Sequence, residues 1–407
     1  MSQVDVVAEP PAIAVLIPEF PQQTHIAWWR VADAMRGHGA RVFLMSTRRP
    51  DRRLRVHQAL EVEAARTLYA WPPAPWPTMR AMLYDPGAVW RGLRYVACLS
   101  QSTVAEKARL LPLIPAAVHL VVQCRRHGID RVLVHSCGNA AHLLAVAHAM
   151  TGLRYGLRLG GDPVVYGKDH RHKMAAASFI VSAAPAYFEE LVRDHGVARE
   201  KLVWTWVGTD LSRCTPAAGW PAPADRGRLR LITVARLNPT KGHLDVLDAI
   251  AHLRAEGVDV DYTIVGDGPF RQAIAARIAE HGLSDRVHLT GALDHADVVD
   301  ALRRADVHVL ASHGVGEAAP AAVCEAMACG VPVVSTLIGA TGAMIDDGVT
   351  GFLVPQRDVT ALAERLGRLA RDPALLERMK RASHPASERF DVRQVARRIM
   401  GWFERVP

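Results

Sequence analysis

The stretch that decides the fold is LRLITVARLNPTKGHLDVLDAIAHLRAEGVDVDYTIVGDGP, residues 229–269. LRLITVA (229–235) is a short apolar run, HLDVLDAIAHLRAEG carries a helical pattern, and DYTIVG (261–266) is short and apolar again. Short apolar runs bounded by Gly, Pro and polar residues suit strands buried on both faces of a parallel sheet. RVHLTG (286–291), VHVLAS (307–312), PVVST (332–336) and GFLVP (351–355) continue the series downstream. Strand alternating with helix predicts an α/β domain with a doubly wound parallel sheet. The first half repeats this grammar in IAVLIP (13–18), RVFLMST (41–47), RVLVHS (131–136), YGLRLGG (155–161), FIVSA (179–183) and LVWTWVG (202–208), with a helix from Trp28 to Arg36. Between the halves, TPAAGWPAPADRG (215–227) is rich in Pro, Ala and Gly and reads as a linker. DVRQVARRIMGWFERV (391–406) is amphipathic and predicts a terminal helix.

A chain of 407 residues is too long for one ordinary core, so two domains are expected. The six cysteines are scattered, with no CxxC pair to suggest zinc and no disulfide framework, which predicts buried free thiols in a reducing cytoplasm. MSQVDVVAEPPAIAVLIPEF has no basic flank ahead of its apolar run and does not read as a signal peptide. No run of eighteen apolar residues suggests a membrane span. The net charge of +8 is uneven: 25 Lys/Arg stand against 17 Asp/Glu up to Asp210, and 24 against 24 beyond it. A basic half points to an anionic partner, either nucleic acid, a membrane surface or a phosphorylated acceptor, or else to a solvated face without one. Nucleic acid is disfavoured, because no recognised nucleic-acid module accompanies the charge. WPPAPWPTMRAMLYDPGAVWRGLRYVACL (71–99) is either a membrane-facing amphipathic surface or, the preferred reading, an insertion packed on the first domain. The basic run RRPDRRLR (48–55) is either a solvated loop or an acceptor-side anion contact.

Chemistry gathers in the second half. HGVGEAAPAAVCEAMACGVP (313–332) sets Glu317 in a glycine-rich loop and Glu325 eight residues later. Pro320 predicts the first turn of a helix, and Gly330 followed by Pro332 predicts its stop. Such a helix start offers free amide donors and partial positive charge to an anion. Arg236 stands at a strand end and Lys241 at the next helix start, the usual anion cradle of open α/β sheets. Fixed cations there would favour a departing diphosphate as its negative charge builds. Gly266, Asp267, Gly268 and Pro269 form a turn whose glycines permit close backbone approach to a ligand.

Together the Arg236/Lys241 loop, the GDGP turn and the Glu-x7-Glu spacing resemble family 4 of the retaining glycosyltransferases, densely from Leu229 to about Arg371 and more loosely before it. IPEFPQQTHIAWWR (17–30) and STRRP (46–50) are worded like exopolysaccharide and colanic-acid-type members, and VWTWVGTDLSR (203–213) resembles the family's closing turn of the first domain. The resemblance implies GT-B architecture: two Rossmann-like doubly wound domains facing across a cleft. Residues 1–212 would form the acceptor-side domain, 213–385 the nucleotide-sugar domain, and 386–407 a helix crossing back to the first. It implies retaining, metal-independent transfer of a hexose from a UDP- or GDP-sugar to a glycan or lipid-linked acceptor, in exopolysaccharide biosynthesis, without a cofactor. Cytoplasmic location, with peripheral contact with the anionic inner membrane, goes with that reading.

Residue by residue, the resemblance assigns Arg236, Lys241 and Gly339 to the diphosphate, and Glu325 with Gly266, Asp267, Gly268 and Pro269 to the nucleotide. Glu317 and His135 fall to catalysis at the sugar, and Thr24 and His25 to the acceptor side. Gly342 is a further candidate for donor contact, and Gly160, Gly161, Asp162 and Lys168 form a loop of unresolved role. Two positions depart from the family pattern: Ala318 replaces a usual Gly, and Ala343 stands near a usual Glu. These departures keep open a non-catalytic partner subunit that binds nucleotide sugar; a GT-B epimerase is a further alternative. Asp259 and Asp261 spell the Asp-x-Asp metal motif of another glycosyltransferase architecture, but their place at a helix-to-strand junction reads as a solvated turn.

Overall fold

A computed structural model describes residues 11–21, 26–50, 59–218, 227–314, 317 and 319–405. Thr24, His25, Ala318, most of the linker and most of the basic run at 48–55 lie outside the described residues. The chain divides into two units, one reaching Thr205 and resuming at Arg393, the other spanning Trp206–Val392.

Among the described residues, seven parallel strands build the first unit: β1 (Ala12–Glu19), β2 (Arg41–Arg48), β3 (Leu68–Tyr69), β4 (Arg131–His135), β5 (Arg154–Leu159), β6 (Phe179–Ser182) and β7 (Leu202–Trp204). Their order is β3-β2-β1-β4-β5-β6-β7. The apolar runs become strands because both sheet faces are covered, so Leu16, Val132, Val134, Leu157 and Ile180 are all fully buried. The run expected over 202–208 stops at Trp204, and Gly208 then turns at positive φ. β3, two residues long, gives no periodic signal and was not expected.

The tryptophan-rich stretch folds as helices Pro75–Tyr84 and Pro86–Ala97, each with proline in its first turn. Asp85 caps the second by accepting from the Ala88 amide at 2.8 Å. Gly92 lies against Met150 and Val146, and Tyr95 Oη is 2.9 Å from His142 Nδ1, so one face packs on the unit as preferred. The other face leaves Trp76, Leu83, Tyr84 and Trp90 between 66% and 89% exposed. The preferred reading, an insertion packed on the first unit, thus describes one face of this stretch. Among the described residues, Val104–His127 is long and apolar enough to cross a membrane, but its Ile114, Ala117, Leu120 and Val121 are buried in this core. The terminal helix Val392–Arg405 buries Val395, Ala396, Ile399 and Phe403 along one stripe, and Phe403 meets Phe179 edge-on at 4.7 Å.

The second unit holds β8 (Leu229–Val234), β9 (Val260–Val265), β10 (Val287–Gly291), β11 (Val307–Leu310), β12 (Val333–Thr336) and β13 (Gly351–Val354), all parallel, in the order β10-β9-β8-β11-β12-β13. A buried relay crosses three of them: Tyr262 Oη donates to Thr233 Oγ1 at 2.8 Å, and Thr233 donates to the Val309 carbonyl at 2.6 Å. Beside it Asp306 accepts from Arg230 at 2.7 Å and from Lys380 at 2.8 Å. Burial opposes the Asp306 charge, yet these two cations hold its carboxyl below the ordinary value. Five cysteines are buried as expected, but Cys98 is exposed.

Candidate active site

In the second unit the strand order reverses between β8 and β11, and open α/β sheets bind ligands beyond the carboxyl ends of strands at such a point. Arg236 leaves β8 there with its side chain exposed. Pro239–Lys241 makes one 3-10 turn, and Gly242 follows at φ +68. A Cβ on Gly242 would stand 2.0 Å from the Ala311 carbonyl oxygen, so only glycine lets this loop lie against the exit of β11. The His313 amide donates to the Thr240 carbonyl at 2.9 Å and fixes that approach.

Lys241 thereby meets Glu317: its ammonium forms an ion pair with Glu317 Oε2, and Ser312 Oγ donates to the same oxygen at 3.3 Å. Both charged side chains are largely buried, at 20% and 13% exposure, where Coulombic attraction is stronger than at the surface. Glu317 precedes the helix Ala321–Ala328, and Pro320 is its N-cap, one position earlier than the first turn the sequence suggested. Gly330, at φ +74, ends the helix as expected. Glu325 lies inside that helix, its Oε1 3.2 Å from His295 Nε2. His295 opens the helix His295–Arg304 and belongs to no motif visible in the sequence.

The GDGP turn braces the cation loop. The Leu237 amide donates to the Asp267 carbonyl at 3.0 Å, and the Phe270 amide to the Leu237 carbonyl at 3.1 Å. A Cβ on Gly266 would stand 1.9 Å from the Ala235 oxygen, and one on Gly268 2.3 Å from the Leu237 oxygen. The close approach these glycines permit is thus to the backbone around Arg236, where the sequence reading had looked for a ligand. Asp267 Oδ1 accepts from the Gly268 amide at 2.8 Å, and Pro269 follows in the same turn. Gly339 lies beyond β12 at φ +55, in a turn closed by Thr341 Oγ1, which accepts from Ile338 N and donates to the Thr336 carbonyl. Gly342 and Ala343 sit in the short helix Thr341–Met344.

His135 lies in the other unit, at the end of β4. Its ring stacks on Trp28 at 4.6 Å, and the Arg158 guanidinium lies over the same indole at 3.6 Å. Gly160 makes room for it, since a Cβ there would be 2.8 Å from His135 Cε1. Arg158 is buried, and burial draws its pKa down to about 9. Sequence reasoning missed both Arg158 and Trp28 as parts of a site; an arginine inside the apolar run YGLRLGG was the available signal. Asp162 caps the turn Pro163–Tyr166, and Lys168 pairs with Glu106 at 2.9 Å. Asp259 and Asp261 are bound by Arg228 at 2.6 and 3.4 Å and approached by Arg286, consistent with the solvated-turn reading.

The structure therefore gathers Arg236, Lys241, Glu317 and the GDGP turn around one switch point, gives Glu325 a partner in His295, and keeps His135 within the first unit. Residues 220–384 match the family described as Glycosyl transferases group 1. The putative colanic acid biosynthesis glycosyltransferase WcaL of Escherichia coli is 33% identical over 210 residues, 50% of this chain and 51% of that protein. The amylovoran biosynthesis glycosyltransferase AmsK of Erwinia amylovora is 36% identical over 150 residues, 36% of this chain and 37% of that one. The chain thus spans about half the length, or less, of these curated relatives. The crystal structure of Anabaena HepE in complex with UDP aligns at a TM-score of 0.73 and 17% identity, covering 97% of this chain and 99% of that one. That likeness is one of fold, the GT-B fold with its two parallel-sheet units.

Proposed function

On the premise that its C-terminal unit belongs to the glycosyl transferases group 1, we propose that this chain is a retaining glycosyltransferase of exopolysaccharide biosynthesis. It moves a hexose from a UDP- or GDP-sugar to a glycan or lipid-linked acceptor. The observation that carries the reading is the Lys241–Glu317 pair at the switch point, with exposed Arg236 on the same loop. A cation and a carboxylate held together suit a substrate that is part diphosphate and part polyol. Arg236 and Lys241 take the diphosphate, with Gly339 lending backbone. As the glycosidic bond breaks, charge grows on the leaving phosphate, and preorganised cations favour that state over the bound substrate. Glu317 accepts hydrogen bonds from sugar hydroxyls near the reacting carbon. Glu325 and the GDGP turn hold the nucleoside, Glu325 through the ribose. His135 positions the sugar, and the leaving phosphate assists removal of the acceptor proton. The chemistry uses no metal and no cofactor.

The exposed face of Trp76, Leu83, Tyr84 and Trp90 carries Arg80 and Arg94 beside it, and supports peripheral contact with the anionic cytoplasmic face of the inner membrane. A panel of UDP- and GDP-sugars should raise the melting temperature through a native-state ligand, and the stabilising donor should then be consumed only with acceptor present. NMR of the product should show the donor's anomeric configuration kept; an inverted product would end the retaining assignment. Binding without acceptor-dependent release would mark a non-catalytic partner subunit, and an altered nucleotide sugar an epimerase.

A further inference from the structure

We propose that Cys214, His295 and Glu325 form a binding site for a zinc-like transition-metal ion, and that a metal there withdraws Glu325 from the nucleotide. The second half of this statement rests on the ribose role given to Glu325 above. The first half stands on geometry alone.

The Cys214 sulfur, a His295 ring nitrogen and a Glu325 carboxylate oxygen all lie within 4.8 Å of one another. His295 Nε2 and Glu325 Oε1 are 3.2 Å apart. Tetrahedral zinc with its usual bond lengths sets neighbouring N, O and S ligands roughly 3.3 to 3.7 Å apart. The three donors therefore need little movement to close on one ion. Cys329 stands in hydrogen-bond contact with Cys214 and offers a fourth donor of the same softness. His308, fully buried, has neither ring nitrogen hydrogen-bonded among the described residues and lies close enough to feel the Glu325 charge.

Three different donor types converge here. Magnesium and calcium prefer oxygen alone, whereas thiolate, imidazole and carboxylate together suit zinc or cobalt. The supports are firm, since His295 and Glu325 are held on helices. Cys214 is buried, with its amide bonded to the Asp210 carbonyl at 3.3 Å. The His295 and Glu325 side chains keep 16% and 14% of their surface, so these two donors reach solvent. A mere orienting hydrogen bond from His295 to Glu325 would require no buried sulfur beside the pair. As the metal–sulfur bond forms, the Cys214 thiol proton leaves to solvent; nothing is oxidised or reduced.

The test is a titration of the reduced, untagged protein with Co2+ under anaerobic conditions. One equivalent should produce the near-ultraviolet thiolate-to-cobalt charge-transfer band. Cys214→Ser should abolish that band, and His295→Gln, as a second variant, should weaken Co2+ binding by more than about tenfold. No band in the parent protein, or an undiminished band in Cys214→Ser, would overturn the site and leave the nucleotide reading untouched. UDP or GDP should then bleach the band. Zn2+ should raise the donor KM while leaving kcat at saturating donor unchanged, and Cys214→Ser should need more than about ten times as much Zn2+ for the same effect. A cobalt band that neither nucleotide disturbs would keep the metal site but end the competition, and with it the ribose assignment of Glu325.

Discussion

The two sheets share one strand order around their switch points, β1 beside β4 and β8 beside β11, yet what stands beyond those strand ends differs. In the second unit the exits carry Arg236, Lys241 and Glu317, charged groups whose partners can exchange for a ligand's. In the first, His135 and Arg158 are already stacked against Trp28, which is itself 3% exposed. The fold thus decides where a site can be, while the side chains decide what it can hold. One switch point is an electrostatic cradle; the other is a packed scaffold that fixes a single imidazole.

The largest expected effect separates these two characters. Lys241→Ala removes a preorganised charge and should lower kcat by about a hundred- to a thousandfold, or roughly 3 to 4 kcal/mol. His135→Ala should cost about tenfold, since it removes a positioning contact and no charge that stabilises the leaving group. Steady-state kinetics on both variants checks the contrast. Equal losses would mean that the first unit's switch point contributes as much to the chemistry as the second's.

A pair of glycines sharpens the comparison at smaller scale. Gly266→Ala would drive a Cβ to 1.9 Å from the Ala235 backbone oxygen, at a φ of +141 that alanine resists. The brace under Arg236 must then shift, with a stability loss of about 1 to 3 kcal/mol and weakened nucleotide binding. Gly160→Ala instead meets the stacked His135 ring at 2.8 Å, a side chain and no backbone, and should cost about 1 kcal/mol with UDP and GDP binding intact. Denaturant melts and calorimetric binding of UDP and GDP would distinguish the two. A Gly160 variant that lost nucleotide binding would break the division of labour.

Most of the fold was legible because buried parallel strands leave an unambiguous trace. Runs such as IAVLI and VLV are apolar on both faces, and Gly, Pro or polar residues punctuate them. β3 escaped notice because two residues carry no period. Lys241, Glu317 and Arg236 were legible through spacing along the chain, since a strand, a loop and a helix start fix their neighbourhood. The partnership of Glu325 with His295 and Cys214 was not, because it is made by packing between segments up to 111 residues apart in number, from Cys214 to Glu325. The glycines of the GDGP turn were recognised as places of close approach, but a sequence does not say what approaches. Arg158 was hidden in a strand whose pattern otherwise read as core.

Acid should erase the distinction between the units. Among the described residues each unit buries two imidazoles: His142 and His170 in the first, His243 and His308 in the second. Burial draws their pKa values down to about 3 for His142 and about 4 for the other three. A histidine depressed in the folded state stays neutral there while the unfolded chain binds a proton below about pH 6.5. Stability is therefore full above that pH and falls as pH drops towards 4, by at most about 1.4 kcal/mol per pH unit for each imidazole. Hydrogen exchange followed by mass spectrometry, corrected for the intrinsic rate, reports the opening free energy of each unit separately. Between pH 7 and 4.5 both units should lose protection to a similar degree, although their switch points differ in chemistry. A loss confined to one unit would show that the imidazoles of the other do not set its acid response.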